Sequence, residues 1–293
     1  MSKINFPIIF THVPRSGGIT LNSIFKAHFL KYKYFDFYVN ESQGNVEKSM
    51  KEFEVLSPQQ KKKLIFLTGH INWGIHEYYT NQCTYITLFR NPVTRIISYY
   101  NYVLKNSSHF LHNTIIQNNI KLKNLLEANI SIEFDNMQVR QISGIKNIKC
   151  GNCEAYMLEK AIDNLDKYYP VFGINEMFDH SLLLFKKYFG FTEPFYRILN
   201  YSKVKEVKVI SDEIVEIIKK TNYLDIKFYE YAKNKFDQII SNYDGIDYEV
   251  IDFQRKNNFI KEIRIGDFYY GLLYHRLLSG ISYIIDNRTK KNA

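Results

Sequence analysis

Short apolar runs, each ending in polar or turn residues, alternate along this chain with longer stretches of helical spacing. Residues 6–11 are apolar and lead into Pro14 and Gly17, as a strand buried on both faces would. Leu21, Ile24, Phe25, Phe29 and Leu30 then recur at helical spacing, which predicts a helix over 20–32. Residues 64–68 and 85–89 read as two more strands. Pro92 stands where the first turn of a helix accepts proline, and apolar positions 96, 97, 100, 103 and 104 carry that helix over 93–104. Further helices are predicted over 115–126, 131–142, 154–165 and 176–188, with strands over 171–174 and 195–199. Residues 211–242 hold two helices broken near Asn222, and the aromatic tail over 259–285 reads as helical. The alternation implies a single α/β domain over 1–293, an open parallel sheet flanked by helices on both faces.

Composition narrows the class. With 45% hydrophobic and 24% charged residues over 293 positions, the chain is ordinary globular protein rather than disordered, collagenous or disulfide-scaffolded. A net charge of +9 favours an anionic ligand or partner. Apart from Lys61, Lys62, Lys63 and the tail over 288–291, the basic residues are scattered, so the basic stripe of a nucleic-acid binder is missing and none is expected as partner. Three cysteines fit a reducing compartment. Cys150 and Cys153 have metal-knuckle spacing but supply only half a tetrahedral site, and no second pair follows. No metal is expected there. The chain shows no signal-peptide pattern and no run of 18 apolar residues, so it is expected to be cytoplasmic with no transmembrane segment.

Candidate chemistry begins in the loop between the first strand and the first helix. Gly17 and Gly18 let the backbone approach a ligand with its N–H groups exposed, and the following helix aims its positive end at the same point. Arg15 adds a fixed cation, while Ser16 and Thr20 add hydroxyl donors around Ile19. This is a phosphate cradle on physical grounds. It is neither GxxxxGK[ST] nor GxGxxG.

A second strand-to-helix junction carries Arg90 and, about two helical turns past Pro92, Ser98. A guanidinium fork and a hydroxyl converging on one phosphate would explain both. A salt bridge for Arg90 and a packing role for Ser98 would serve equally well if the junction stood alone.

Together the two junctions resemble a known family. The run His12-Val13-Pro14-Arg15-Ser16-Gly17-Gly18-Ile19-Thr20-Leu21 is similar to the HxPKTGGTSL loop of the carbohydrate sulfotransferases that include the heparan sulfate 2-O-sulfotransferases and bacterial relatives. The run Arg90-Asn91-Pro92-Val93-Thr94-Arg95-Ile96-Ile97-Ser98 resembles their R(D/N)PVxRxxS segment, and Gly69-His70 lies between the two in the family's order. Weaker echoes sit at 136–144, 172–176, 200–203 and 224–225, so the resemblance spans about residues 5–240 and leaves the tail beyond 245 outside it.

The resemblance implies a P-loop-like fold that binds 3′-phosphoadenosine 5′-phosphosulfate (PAPS) as co-substrate, without a metal. Residue by residue, Arg15, Ser16, Gly17, Gly18, Ile19 and Thr20 would hold the 5′-phosphosulfate, with Arg15 supporting transfer, and Arg90 with Ser98 would hold the 3′-phosphate. The acceptor would be a carbohydrate or glycolipid hydroxyl. Arg15-Ser16 stand where the family usually has Lys-Thr. Lysine is a compact charge able to sit on the bridging oxygen and arginine a wide fork, so the departure bears on rate more than on binding.

Sulfuryl transfer needs a group to take the acceptor's proton. His70 ends the second predicted strand; an unperturbed imidazole, with a pKa near 6.5, is mostly neutral and basic near pH 7, and the family carries its catalytic histidine in this Gly-His context. His12 reads as a buried hydrogen-bonding residue, and His76 as surface beside Glu77, Tyr78 and Tyr79. Arg140 either meets substrate anions or braces its helix, and Asn200 and Lys203 resemble a segment near the nucleotide. Two rivals remain: a nucleotide-dependent kinase, for which no triphosphate-loop lysine or Mg²⁺-binding aspartate is placed, and a non-catalytic anion or polynucleotide binder.

Overall fold

The computed structural model describes residues 6–28, 34–37, 46–191, 193–196 and 210–262. Strand β1 (Ile8–Thr11) is wholly buried because it pairs on both sides, with β3 (Phe66–Gly69) and with β4 (Thr84–Phe89). The three-residue β2 (Tyr34–Asp36) and two-residue β5 (Gly173–Ile174) complete a parallel sheet in the order β2-β3-β1-β4-β5. Helices flank it. The expected α/β architecture is present.

The register sets up the site. Thr11 pairs with Gly69 on one side and with Thr87 on the other. The residues just past these strands, His12, His70 and Arg90, therefore leave the sheet at one carboxyl edge, where open α/β sheets bind ligands. Helix α1 (Gly18–His28) starts at that edge, and α4 (Pro92–Lys105) begins there with Pro92 in its first turn and the Asn91 side chain accepting from Val93 and Thr94 N–H.

Leu21, Ile24 and Phe25 of α1 pack into the main core with the strands, with α9 (Phe178–Phe189) and with α11 (Tyr223–Ser241). A second core forms where α4 meets α5 (His112–Gln117), α6 (Leu122–Glu127) and α10 (Asp212–Thr221). The break at Asn222 falls where the sequence places it.

Several boundaries differ from expectation. The helix over 115–126 is two helices, α5 and α6, because Asn119 turns the chain at φ 50°. The stretch 131–142 is a 3-10 turn (Ile132–Phe134) followed by α7 (Met137–Ser143), separated by Asn136 at φ 48°. The helix expected from 176 starts at Phe178, after a 3-10 turn, whereas α8 (Ala155–Tyr168) matches its expectation. Phe195 and Tyr196 form no strand, while residues 197–199 of that prediction lie outside the described residues. Of the tail, α12 (Ile246–Glu262) begins earlier than expected and buries Ile246, Val250 and Phe253 in the main core; residues 263–285 lie outside the described residues. So do 29–32 at the end of the first predicted helix. Two helices had no counterpart in the sequence reading, α2 (Val46–Glu54) and α3 (Pro58–Lys63), the latter closed by a Ser57/Gln60 capping box.

Candidate active site

The loop from β1 to α1 opens with a tight turn in which Ser16 N–H reaches the Val13 carbonyl at 3.3 Å. Pro14 suits its first central position, but Arg15 occupies the second at φ 66°, a place that favours glycine. Such a left-handed residue costs about 1–2 kcal/mol, and it persists because both ends of Arg15 are held. Its Nε donates to Ser98 Oγ at 3.2 Å, and its carbonyl accepts from Arg90 Nη1 at 2.9 Å. The guanidinium also lies over the Tyr102 ring, 4.7 Å from its centroid. Arg15, Arg90 and Ser98, distant in sequence, thus form one linked cluster.

The glycines admit close approach. A Cβ on Gly18 would lie 2.0 Å from the His12 ring, so α1 can begin against that ring only with glycine there. The first N–H groups of α1, on Gly18, Ile19 and Thr20, have no intrahelical carbonyl to meet, and these residues line the cleft. Ser16 is fully buried, and its Oγ has no hydrogen-bond partner among the described residues. A buried hydroxyl is normally paired, so an anion oxygen seated on the N–H groups would supply what this one lacks. The cradle fits a phosphate. Asn175 fastens it from β5's side, donating to the Ser16 carbonyl at 3.1 Å.

His70 borders the same cleft, a space of about 1770 Å³ that also touches His12, Arg15, Gly18, Trp73 and Arg90. His70 Nδ1 meets the His12 carbonyl at 2.9 Å, and the two rings lie 4.6 Å apart. His12 is buried, and burial, then the charges of His70 and Arg15, hold its pKa well below the ordinary 6.5. It is neutral beside the cradle, as its reading as a structural histidine requires.

Arg15, Arg90 and Ser98 of the two motifs therefore meet the glycine loop and His70 at one sheet edge. Residues 3–232 match the model of the sulfotransferase family. The chain belongs to that family. It is 24% identical over 283 aligned positions to heparan-sulfate 6-O-sulfotransferase 3 of Mus musculus, covering 79% of this chain and 57% of the relative. Heparan-sulfate 6-O-sulfotransferase 2 of Homo sapiens is 23% identical, with 79% and 44% covered, and heparan-sulfate 6-O-sulfotransferase 1-B of Danio rerio 23%, with 79% and 66%. The chain thus spans about half the length of the first two. These relatives are named as 6-O-sulfotransferases, whereas the resemblance of the motifs names the 2-O-sulfotransferases.

Other residues of this sulfotransferase fold take structural places. Arg95, in the second motif, is fully buried near Glu133 and Asp225 and donates to the Glu133 carbonyl at 3.1 Å. Arg140 is a brace: it pairs with the Asp135 carboxylate and donates to the carbonyls of Asp135, Ile148 and Lys149 at 2.7–2.9 Å. His76 is half-buried, where its neighbours in sequence predict an exposed surface position. It packs against Trp73 and Tyr168 and bonds the Tyr85 hydroxyl at 3.0 Å, and burial lowers its pKa. Asn200 and Lys203 lie outside the described residues. Cys150 and Cys153 are free, and no cluster of metal-ligating side chains occurs among the described residues.

Sequence reasoning missed Tyr102, Asn175 and Gln138, whose side-chain amide bonds both backbone groups of Arg90. Tyr102 stands four residues past Ser98, one turn along the same face of α4, which is a readable signal once Ser98 is suspected. Asn175 and Gln138 each lie in one of the weaker echoes, with nothing local to single them out.

Proposed function

We propose that the protein is a PAPS-dependent sulfotransferase acting on a carbohydrate hydroxyl. The observation that carries the reading is the linked cluster of Arg15, Ser98 and Arg90 on the same edge as His70. Two anion-holding groups, the cradle and the Arg90/Ser98 pair, match a donor with phosphate at both the 5′ and 3′ positions. The names of the relatives support a carbohydrate acceptor, and the volume of the cleft leaves room for one beside the nucleotide.

The roles follow from chemistry. His70 takes the acceptor hydroxyl's proton as that oxygen bonds to sulfur. Arg15 and the N–H groups at the start of α1 take up the negative charge that collects on the departing phosphate as its bond to sulfur breaks. Gly17 and Gly18 allow that approach, while Arg90 and Ser98 hold the 3′-phosphate throughout. No step calls for a metal. Three free thiols fit a reducing cytoplasm, where we place the enzyme.

The test is transfer of labelled sulfate from PAPS to a panel of glycans, beside melting curves with adenosine 3′,5′-bisphosphate or with ATP and Mg²⁺. At a hundred times its Kd a ligand stabilises by about 2.7 kcal/mol. The bisphosphate is expected to raise the melting temperature more than ATP does. Equal or greater stabilisation by ATP with Mg²⁺ would favour a phosphotransferase instead.

A further inference from the structure

Gln138, the second residue of α7, is fully buried, and its side chain reaches a peptide 48 residues away. Its Oε1 accepts from the Arg90 N–H at 3.0 Å, and its Nε2 donates to the Arg90 carbonyl at 3.0 Å. One primary amide thus occupies both backbone groups of the residue just past β4, as a neighbouring strand would. This two-point pairing fixes the peptide of Arg90 and hence the direction in which its side chain leaves. The guanidinium is then tied by Nε to Thr94 Oγ1 at 3.1 Å and by Nη1 to the Arg15 carbonyl at 2.9 Å.

Gln138 is held in turn. The fully buried Asp225 on α11 accepts from the N–H groups of Gln138 at 3.1 Å and Val139 at 2.8 Å. In exchange, Asn136 Oδ1 accepts from Leu224 and Asp225 N–H, each at 3.0 Å, while Asn136 N–H donates to Asn222 Oδ1 at 2.8 Å. Helices α7 and α11 cap each other's first turns, satisfying donors that each would otherwise leave unpaired. The Gln138 side chain therefore starts from a fixed backbone. Its chemistry is specific as well, because a carboxylate in its place would have no donor for the Arg90 carbonyl.

We infer that Gln138 is a positioning residue for recognition of the donor's 3′-phosphate, acting through Arg90. The inference rests on the reading of Arg90 given above. It assigns to α7 a part in choosing between nucleotides with and without a 3′-phosphate, although Gln138 touches neither.

The experiment measures affinity for adenosine 3′,5′-bisphosphate and for adenosine 5′-monophosphate in the wild type and in Arg90→Ala, Gln138→Leu and Gln138→Glu. The wild type should prefer the bisphosphate, and Arg90→Ala should lose that preference. Gln138→Leu should lose about tenfold of bisphosphate affinity, the scale of a charged contact weakened, and keep its monophosphate affinity. Gln138→Glu should bind the bisphosphate poorly at about pH 8 and recover relative to the wild type as its carboxyl gains the proton it needs to donate to Arg90. Should Gln138→Leu fail to fold, that recovery alone decides. A wild type with no preference would sink the reading of Arg90 and this inference with it. A preference abolished by Arg90→Ala but intact in Gln138→Leu would overturn the inference alone. So would equal losses for both nucleotides, or a Gln138→Glu variant with no recovery at low pH.

Discussion

The Nδ1–H of His70 donates to the backbone carbonyl of His12 at 2.9 Å, and this bond decides which ring nitrogen can act as a base. A carbonyl only accepts, so in the neutral ring Nδ1 carries the proton and Nε2 keeps its lone pair. The pairing of Thr11 with Gly69 brings the two histidines side by side. Gln141 Nε2 also donates to the His12 carbonyl, at 3.3 Å, and helps to fix that acceptor. The Nδ1–H of His70, the proposed base, is therefore oriented by main chain.

Replacing His70 by Ala should separate chemistry from binding. In the proposed role the ring acts only on the acceptor's proton, so turnover should fall by about 10²–10⁴-fold while affinity for the bisphosphate product stays as in the wild type. Steady-state rates with calorimetric binding on the same preparation check this. Turnover at the wild-type rate with both substrates saturating would remove His70 from the role, and the half-buried His76 would be tested next.

Gly18→Ala should damage the cradle and the fold together. Its methyl would lie 2.0 Å from His12 Cδ2 and 2.2 Å from Nε2, and neither a β1-anchored ring nor the first turn of α1 yields easily. Overpacking of this kind costs about 1–3 kcal/mol, so melting temperature and bisphosphate affinity should both drop. Adding His12→Ala removes the obstacle, and the double variant should recover part of the loss in affinity. Strict additivity of the two changes would show that the contact is not the cause.

The parts of this fold legible in the sequence are those set by local pattern. The apolar runs of β1, β3 and β4, the Pro92 start of α4 and the break at Asn222 all depend on residues within a turn or two of one another. Asn136 is the counter-example: it halts the helix expected over 131–142 because its side chain caps α11 some 88 residues away. Strand β2 has three residues, too few to display a period. The site divides in the same way. Its cradle declares itself through adjacent glycines, a cation and hydroxyls in one loop, whereas Gln138 acts on Arg90 across 48 residues. Arg140 illustrates a further limit, since its charge reads equally as a ligand contact or a brace until the carbonyls around it are seen.

Acidification should destabilise the protein, and His12 should account for part of the effect. Its folded-state pKa is lowered by burial, then by His70 and Arg15, whereas the unfolded imidazole titrates near 6.5. The unfolded chain therefore binds the proton more readily. The stability tied to the neutral ring is present above about pH 6.5 and is lost as pH falls toward the folded value. His28 and His76, lowered chiefly by burial, act in the same sense. Melting temperature should fall between about pH 7.5 and about pH 5.5, and less steeply in His12→Asn. An equal slope in both proteins would assign the effect elsewhere.

The Cys150/Cys153 pair should prove dispensable for transfer. Burial and the Asp135 carboxylate push the two thiols up to about 11 and about 12, and only a thiolate ligates metal or alkylates readily. Asp135 accepts from the Cys153 thiol at 3.7 Å and from Gly151 N–H at 2.8 Å, and it pairs with the buried Arg140. Arg140 in turn holds the carbonyls of Ile148 and Lys149, at the end of a loop that lines the cleft. The thiols thus cover a brace whose working parts are the carboxylate and the guanidinium. Changing both cysteines to serine keeps a donor toward Asp135, so activity should survive it and should survive EDTA. In the wild type, iodoacetamide at neutral pH should modify these thiols far more slowly than after unfolding. Asp135→Ala, by contrast, strands a buried guanidinium and should cost about 3–5 kcal/mol of stability. Activity lost in the double-serine protein, or lost with EDTA and restored by zinc, would instead put a metal at this loop.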